Sequence, residues 1–180
     1  MNSKWLTLLA ACSLAVGTAA VPTVGTAALP MPVYAGPTTP CGASAVAVTA
    51  SQTQGATGHG MLTLLFKNVS TRACTLSGYP LLKALSAHGK VIANATKSPY
   101  GFAGGSQNGV RTVTLKPRGG TASAIAEWMN FNATTSGNCT FSQAISAGAP
   151  NTGHMVTLER SVSVCELQVH PVVSGTSGSS

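Results

Sequence analysis

Three glutamates and four histidines are all that this sequence offers for acid–base chemistry, because aspartate is absent. The carboxylates are Glu127, Glu159 and Glu166, and the imidazoles are His59, His88, His154 and His170. A serine hydrolase needs a nucleophile, a histidine base and an acid to orient it. The sequence has no Gly-x-Ser-x-Gly turn and no Ser-x-x-Lys pair. Glu159 and Glu166 lie near His154 and His170 along the chain, but strand pairing can send such neighbours to opposite faces. Glycoside hydrolysis requires two carboxylates in different environments, and none here has a recognisable context. Metal-ligand spacings are missing too: there is no His-x-His, His-Glu-x-x-His or Cys-x-x-Cys. The glycine-rich run at residues 101–105 lacks the Lys and Ser/Thr of a phosphate loop. The expectation is a non-enzymatic protein with no catalytic, cofactor or metal site. Its alternative is a secreted hydrolase using an unrecognised His/Glu pair.

The cysteines carry a firmer signal. Residues 1–35 read as a signal peptide: Lys4 precedes an apolar, alanine-rich stretch at residues 5–21, and Val33-Tyr34-Ala35 offers small residues for cleavage before Gly36. Ala20 and Ala28 are competing cleavage sites. Leu9-Ala10-Ala11-Cys12 also resembles a lipobox, which makes a lipid anchor on Cys12 the alternative to secretion. Removal of the segment leaves Cys41, Cys74, Cys139 and Cys165, an even number suited to two disulfides in an oxidising compartment. Four cysteines allow three connectivities. Sequential pairing, Cys41 with Cys74 and Cys139 with Cys165, keeps each loop within one half of the chain. Each such bridge would contribute about 3.5 to 4 kcal/mol on a chain-entropy argument.

These residues need a scaffold, and the remaining pattern is that of strands. Leu62, Leu64 and Phe66 alternate against Thr63 and Lys67; Ala122, Ala124, Ala126 and Trp128 alternate against Ile125 and Met129. Residues 81–87 could form a helical turn or, with residues 91–95, a hairpin around His88-Gly89-Lys90. Further short strands are expected at residues 46–48, 74–76, 113–115, 155–158 and 167–173, with loops between, including residues 130–140. The fold expected is all-β, an antiparallel immunoglobulin-like sandwich with two disulfides over residues 41–173. Residues 36–40 form a linker and residues 174–180 a Ser/Gly tail expected to be disordered.

Residues 68–80, Asn-Val-Ser-Thr-Arg-Ala-Cys-Thr-Leu-Ser-Gly-Tyr-Pro, resemble the hallmark of an actinobacterial exported family known as domain of unknown function 4232. Gly58-His59, Leu115-Lys116-Pro117, Thr121-Ala122-Ser123-Ala124, Trp128 and residues 165–172 fit the same resemblance. One departure is Arg118, which separates Pro117 from Gly119 where the family often has glycine directly. The resemblance implies export, a β-sandwich and paired cysteines, and it implies no activity.

Ten Lys and Arg against three acids give a net charge of +7, yet the basic residues are scattered singly along the sequence. No nucleic-acid-binding signature is present. The partner expected is an anionic polymer of the cell envelope or an extracellular protein, with the membrane involved only through the signal peptide or a lipid on Cys12. The candidate contact residues are Tyr100 and Phe102, two aromatics in a glycine-rich loop, flanked by Lys97 and Arg111. Tyr79 is expected to be a corner tyrosine whose hydroxyl ties down a loop, and Trp128 to fill the core. Sequons at Asn68, Asn94, Asn132 and Asn138 are read as chance. Processing after Ala35 predicts an exported protein that begins at Gly36, which intact-mass measurement checks. A mass that includes Met1 overturns this, and a diacylglyceryl adduct at Cys12 selects the lipoprotein.

Overall fold

Large side chains meet small ones across the centre of this protein, and that complementarity sets its architecture. The computed structural model describes residues 38–180 except 107 and 133. The signal-peptide reading and most of the linker therefore lie outside the described residues. His59–Asn68 and Thr121–Met129 pair antiparallel as neighbours in a seven-stranded sheet. Across this pair Ala122 opposes Phe66, Ala124 opposes Leu64, Ala126 opposes Leu62, and at the far end Trp128 opposes Gly60. Each couple fills about the same volume, so the two strands present an even buried surface. At the last couple the indole lies over the glycine, where an added Cβ would collide with it.

Val46–Ala50 extends this sheet on one side, while Cys165–Val169 and Thr96–Lys97 extend it on the other. A second sheet contains Thr39–Pro40, Cys74–Ser77 and Thr112–Leu115; a third contains Val156–Leu158, Ala144–Gly148, Leu81–Leu85 and Val91–Asn94. All three contribute to one hydrophobic cluster, through Leu64 and Phe66, Leu76 and Leu115, and Leu82 and Ile145 respectively. The fold is all-β, with a single 3₁₀ turn at Ala43–Ala45 as the one helical element among the described residues. Most pairings are antiparallel. Thr39–Pro40 with Cys74–Ser77, and Thr96–Lys97 with Cys165–Val169, are parallel.

Several local expectations are revised. The hairpin expected around His88-Gly89-Lys90 is present, Leu81–Leu85 pairing with Val91–Asn94, whereas the following points differ. Ala144–Gly148 is a strand with partners on both sides, although alanine, serine and glycine give it little β-signal. The 130–140 loop contains a short hairpin of Phe131–Asn132 with Gly137–Asn138. The final strand divides at His170-Pro171, and its second part, Val173–Ser174, pairs with Ala122 and Ser123. Residues 174–180 lie against this sheet rather than forming a free tail. Gly178 donates its N–H to Ser123 Oγ at 2.9 Å, and Ser180 donates to the Gly105 carbonyl at 3.2 Å. Small residues permit this: a Cβ on Gly178 would stand 2.6 Å from Ile125 Cγ1. A composition that reads as flexible is here what allows close contact.

Cys41 is bonded to Cys74, and Cys139 to Cys165, with Cα separations of 4.8 and 5.8 Å. The first bridge joins the start of the domain to the second sheet. The second ties the 130–140 region to the start of the Cys165–Val169 strand. Replacing Cys41 and Cys74 together with alanine should lower unfolding free energy by about 2 to 5 kcal/mol in denaturant titration. An unchanged unfolding midpoint would show that the bridge adds nothing to the sheets.

Candidate functional site

Alternation along Thr121–Met129 sends Ser123, Ile125 and Glu127 to the face away from the large–small couples, and all three are nonetheless buried. Residues 98–106 and the C-terminal segment cover that face. Glu127 is fully buried, so its carboxylate requires local partners. Ala103 donates its backbone N–H to Oε2 at 2.8 Å, and the Gln168 side-chain amide donates to Oε1. His170, also fully buried, places Nε2 3.4 Å from Oε1. Its Nδ1 lies 2.8 Å from the Ser98 carbonyl oxygen, which only accepts, so Nδ1 carries a proton. The remaining imidazole nitrogen, Nε2, faces the carboxylate oxygen and has no hydrogen-bond partner of its own.

Gly101 lies directly over this pair. A Cβ there would occupy the position of the Glu127 carboxylate. The glycines of the 98–109 loop are thus explained in part by close approach to a buried acid, not by freedom to adapt to a ligand. Tyr100–Gly101 and Gly104–Gly105 form a two-stranded ribbon held down by the Ala103 bond.

Tyr100 and Phe102 project from this ribbon and are 59% and 53% exposed. Both border a depression of about 340 Å³ together with Ser179 and Ser180. Phe102 also contacts the His59 ring, centroids 4.3 Å apart, and these two rings border a cavity of about 170 Å³ with Glu127 and Glu166. Arg111 lies in the neighbouring depression, which shares Ser180. Lys97 is in neither; its Nζ sits 5.9 Å from the Tyr79 ring centroid. Of the four candidate contact residues, the structure brings Tyr100 and Phe102 together, sets Arg111 beside them, and engages Lys97 elsewhere. Tyr79 is held by that cation and by its neighbour's main chain, where Val172 donates to the Gly78 carbonyl. Its hydroxyl has no hydrogen bond among the described residues. Trp128 is 3% exposed, in the core, with Nε1 donating to Asn130 Oδ1 at 2.9 Å.

A histidine and a glutamate do meet in this fold, as Glu127 and His170, which sequence proximity does not suggest. Glu127 stands in an alternating strand and His170 directly follows the strand paired with it: Gln168 opposes Glu127, and the His170 N–H donates to the Ile125 carbonyl. The legible clue is the alternation that places Glu127 on the Ile125 face, beneath a loop rich in glycine. Both side chains are fully buried, and Glu127, which borders the 170 Å³ cavity, already accepts hydrogen bonds at both oxygens. Among the described residues no cluster of three His, Cys, Asp or Glu side chains is placed to hold a metal ion.

Fold and site define an all-β protein stapled by two disulfides, of a kind suited to an oxidising environment. Over residues 41–173 the chain matches the family described as Domain of unknown function (DUF4232), and it belongs to that family. No curated protein and no solved structure matches it. Among the described residues, no helix is long and apolar enough to cross a membrane.

Removing a buried acceptor strands its donors. Glu127→Ala should cost about 1 to 3 kcal/mol for each donor left unpaired, read in denaturant unfolding, and should speed hydrogen exchange at the Ala103 amide. Unaltered exchange at Ala103 would show that the loop is held by other contacts.

Proposed function

We propose that this chain is a non-enzymatic, exported binding module of immunoglobulin-like sandwich architecture. In this reading Tyr100 and Phe102 bind a sugar-containing anionic polymer of the cell envelope. The sandwich reading is supported by a hydrophobic cluster shared between the seven-stranded sheet and the two smaller sheets. Export is supported by the disulfides and by the character of residues 1–35.

The observation that carries the binding reading is the exposure of two neighbouring aromatics on a backbone pinned by a buried acid. Rings left in water cost burial energy that a core would have recovered. A loop fixed beforehand loses little conformational entropy when it meets a partner. Aromatic faces suit the apolar side of a sugar ring and offer contact area at small rotamer cost. Arg111, beside them, and Lys97, further off, act as rim charges that govern encounter rate and salt sensitivity. A hydrolase built on Glu127 and His170 is the weaker reading, since it would need the covering loop to lift away.

Tyr100→Ala with Phe102→Ala should abolish co-sedimentation of the protein with an insoluble cell-wall fraction, while circular dichroism and thermal midpoint stay unchanged. Arg111→Ala should weaken co-sedimentation chiefly at low salt, where screening is slight. Retention of the wall fraction by the double variant, or its unfolding, defeats the binding-loop reading.

A further inference from the structure

Basic residues scattered along the sequence are gathered by the fold. The turn after His59–Asn68 and the turn before Thr121–Met129 are locked together through Asn68, which is fully buried. Its Nδ2 donates to the Arg72 carbonyl at 2.8 Å and the Leu115 carbonyl at 3.3 Å, and its Oδ1 accepts from Ser70. Its main chain bonds Gly119 and Gly120, and Arg118 donates its N–H to the Ser70 carbonyl. Lys67, Arg72, Lys116 and Arg118 therefore emerge from one end of the domain, all exposed. The one side-chain ion pair among the described residues is Glu127–His170, so none of the four cations is neutralised by a carboxylate. Glu127 stands six residues along the strand from Thr121, the partner of Lys67, which is about 20 Å.

We infer that this end is a docking face for the anionic headgroups of a lipid bilayer, distinct from the Tyr100–Phe102 surface and independent of it. Two observations mark this end, and the first favours a bilayer over a soluble polyanion. Val69 is 52% exposed at the tip between Lys67 and Arg72, an apolar residue where a purely electrostatic site has no use for one. Arg118 is held at φ 52°, in the left-handed region that favours glycine, so a charged side chain occupies a position that the backbone makes unfavourable. Cationic side chains held against anionic headgroups, with an apolar side chain at the tip, give two kinds of attachment to one bilayer surface.

The test is co-sedimentation of the exported protein, beginning at Gly36, with vesicles of phosphatidylcholine alone and of phosphatidylcholine mixed with phosphatidylglycerol. Arg118→Gly removes one charge and relieves the backbone. It should lower partitioning onto the anionic vesicles about fivefold with no loss of thermal stability. Combining it with Lys67→Gln, Arg72→Gln and Lys116→Gln should lower partitioning more than about a hundredfold, and high salt should do the same to the unaltered chain. Lys83→Gln with Lys90→Gln, on another sheet, should leave it within about twofold. The inference fails if neutral and anionic vesicles bind alike, or if Arg118→Gly has no effect. It fails also if the Lys83/Lys90 variant loses as much as the face variants, or if soluble polyphosphate binds while vesicles do not. A face that binds vesicles normally in the Tyr100/Phe102 variant keeps the two surfaces separate.

Discussion

A carboxylate buried in a sheet must be surrounded by donors, and meeting that demand at Glu127 organises one whole side of this protein. Its oxygens take a backbone N–H from Ala103 and an amide from Gln168, and the His170 ring stands beside it. The partners come from two separate stretches of chain, so the acid fixes the path of the 98–106 loop and the position of the Cys165–Val169 strand together. The pair is weak evidence for stability in itself, since desolvation offsets much of the attraction. Its effect is directional: only one course of the loop brings Ala103 to the carboxylate and leaves Tyr100 and Phe102 outside.

The opposite face of the same strand works by shape alone. Four alanines and glycines alternate in role with Phe66, Leu64, Leu62 and Trp128, and the second and third sheets close over the result. Thr121–Met129 is consequently buried on both faces, one packed by size and the other by polar satisfaction. A shape-filled face tolerates modest repacking, whereas a polar face needs every partner present. This division leaves the exposed rings and the cationic turns on parts of the fold that are fixed from below.

Much of this was readable from residues alone. Alternation at Leu62, Leu64 and Phe66 and at Ala122, Ala124 and Ala126 marks the two central strands, and the cysteine count leads to the bonds found at Cys41–Cys74 and Cys139–Cys165. Tyr100 and Phe102 stand exposed together as their loop suggests. The remainder depended on long-range contacts. Ala144–Gly148 becomes a strand because Leu81–Leu85 and Val156–Leu158 flank it, not because of its own residues. Residues 174–180 look disordered until Ile125 and Ser123 give their glycine a surface to meet. Lys67, Arg72, Lys116 and Arg118 read as isolated charges because their convergence runs through hydrogen bonds of one asparagine.

The two-residue pairing of Thr39–Pro40 beside Cys74 and Thr75 has a mechanical meaning. Tension arriving along the chain from its N-terminal side meets this short hook first. Cys41 follows at once, and its covalent bond to Cys74 does not yield to forces that unravel sheets. The pull is then handed to Cys74–Ser77, which is braced along its length by Thr112–Leu115. Val46–Ala50 and the central strands follow that stop along the chain. A domain hung by its leading end would keep its shape under drag, and its aromatic ribbon would stay in register while the tether was stretched.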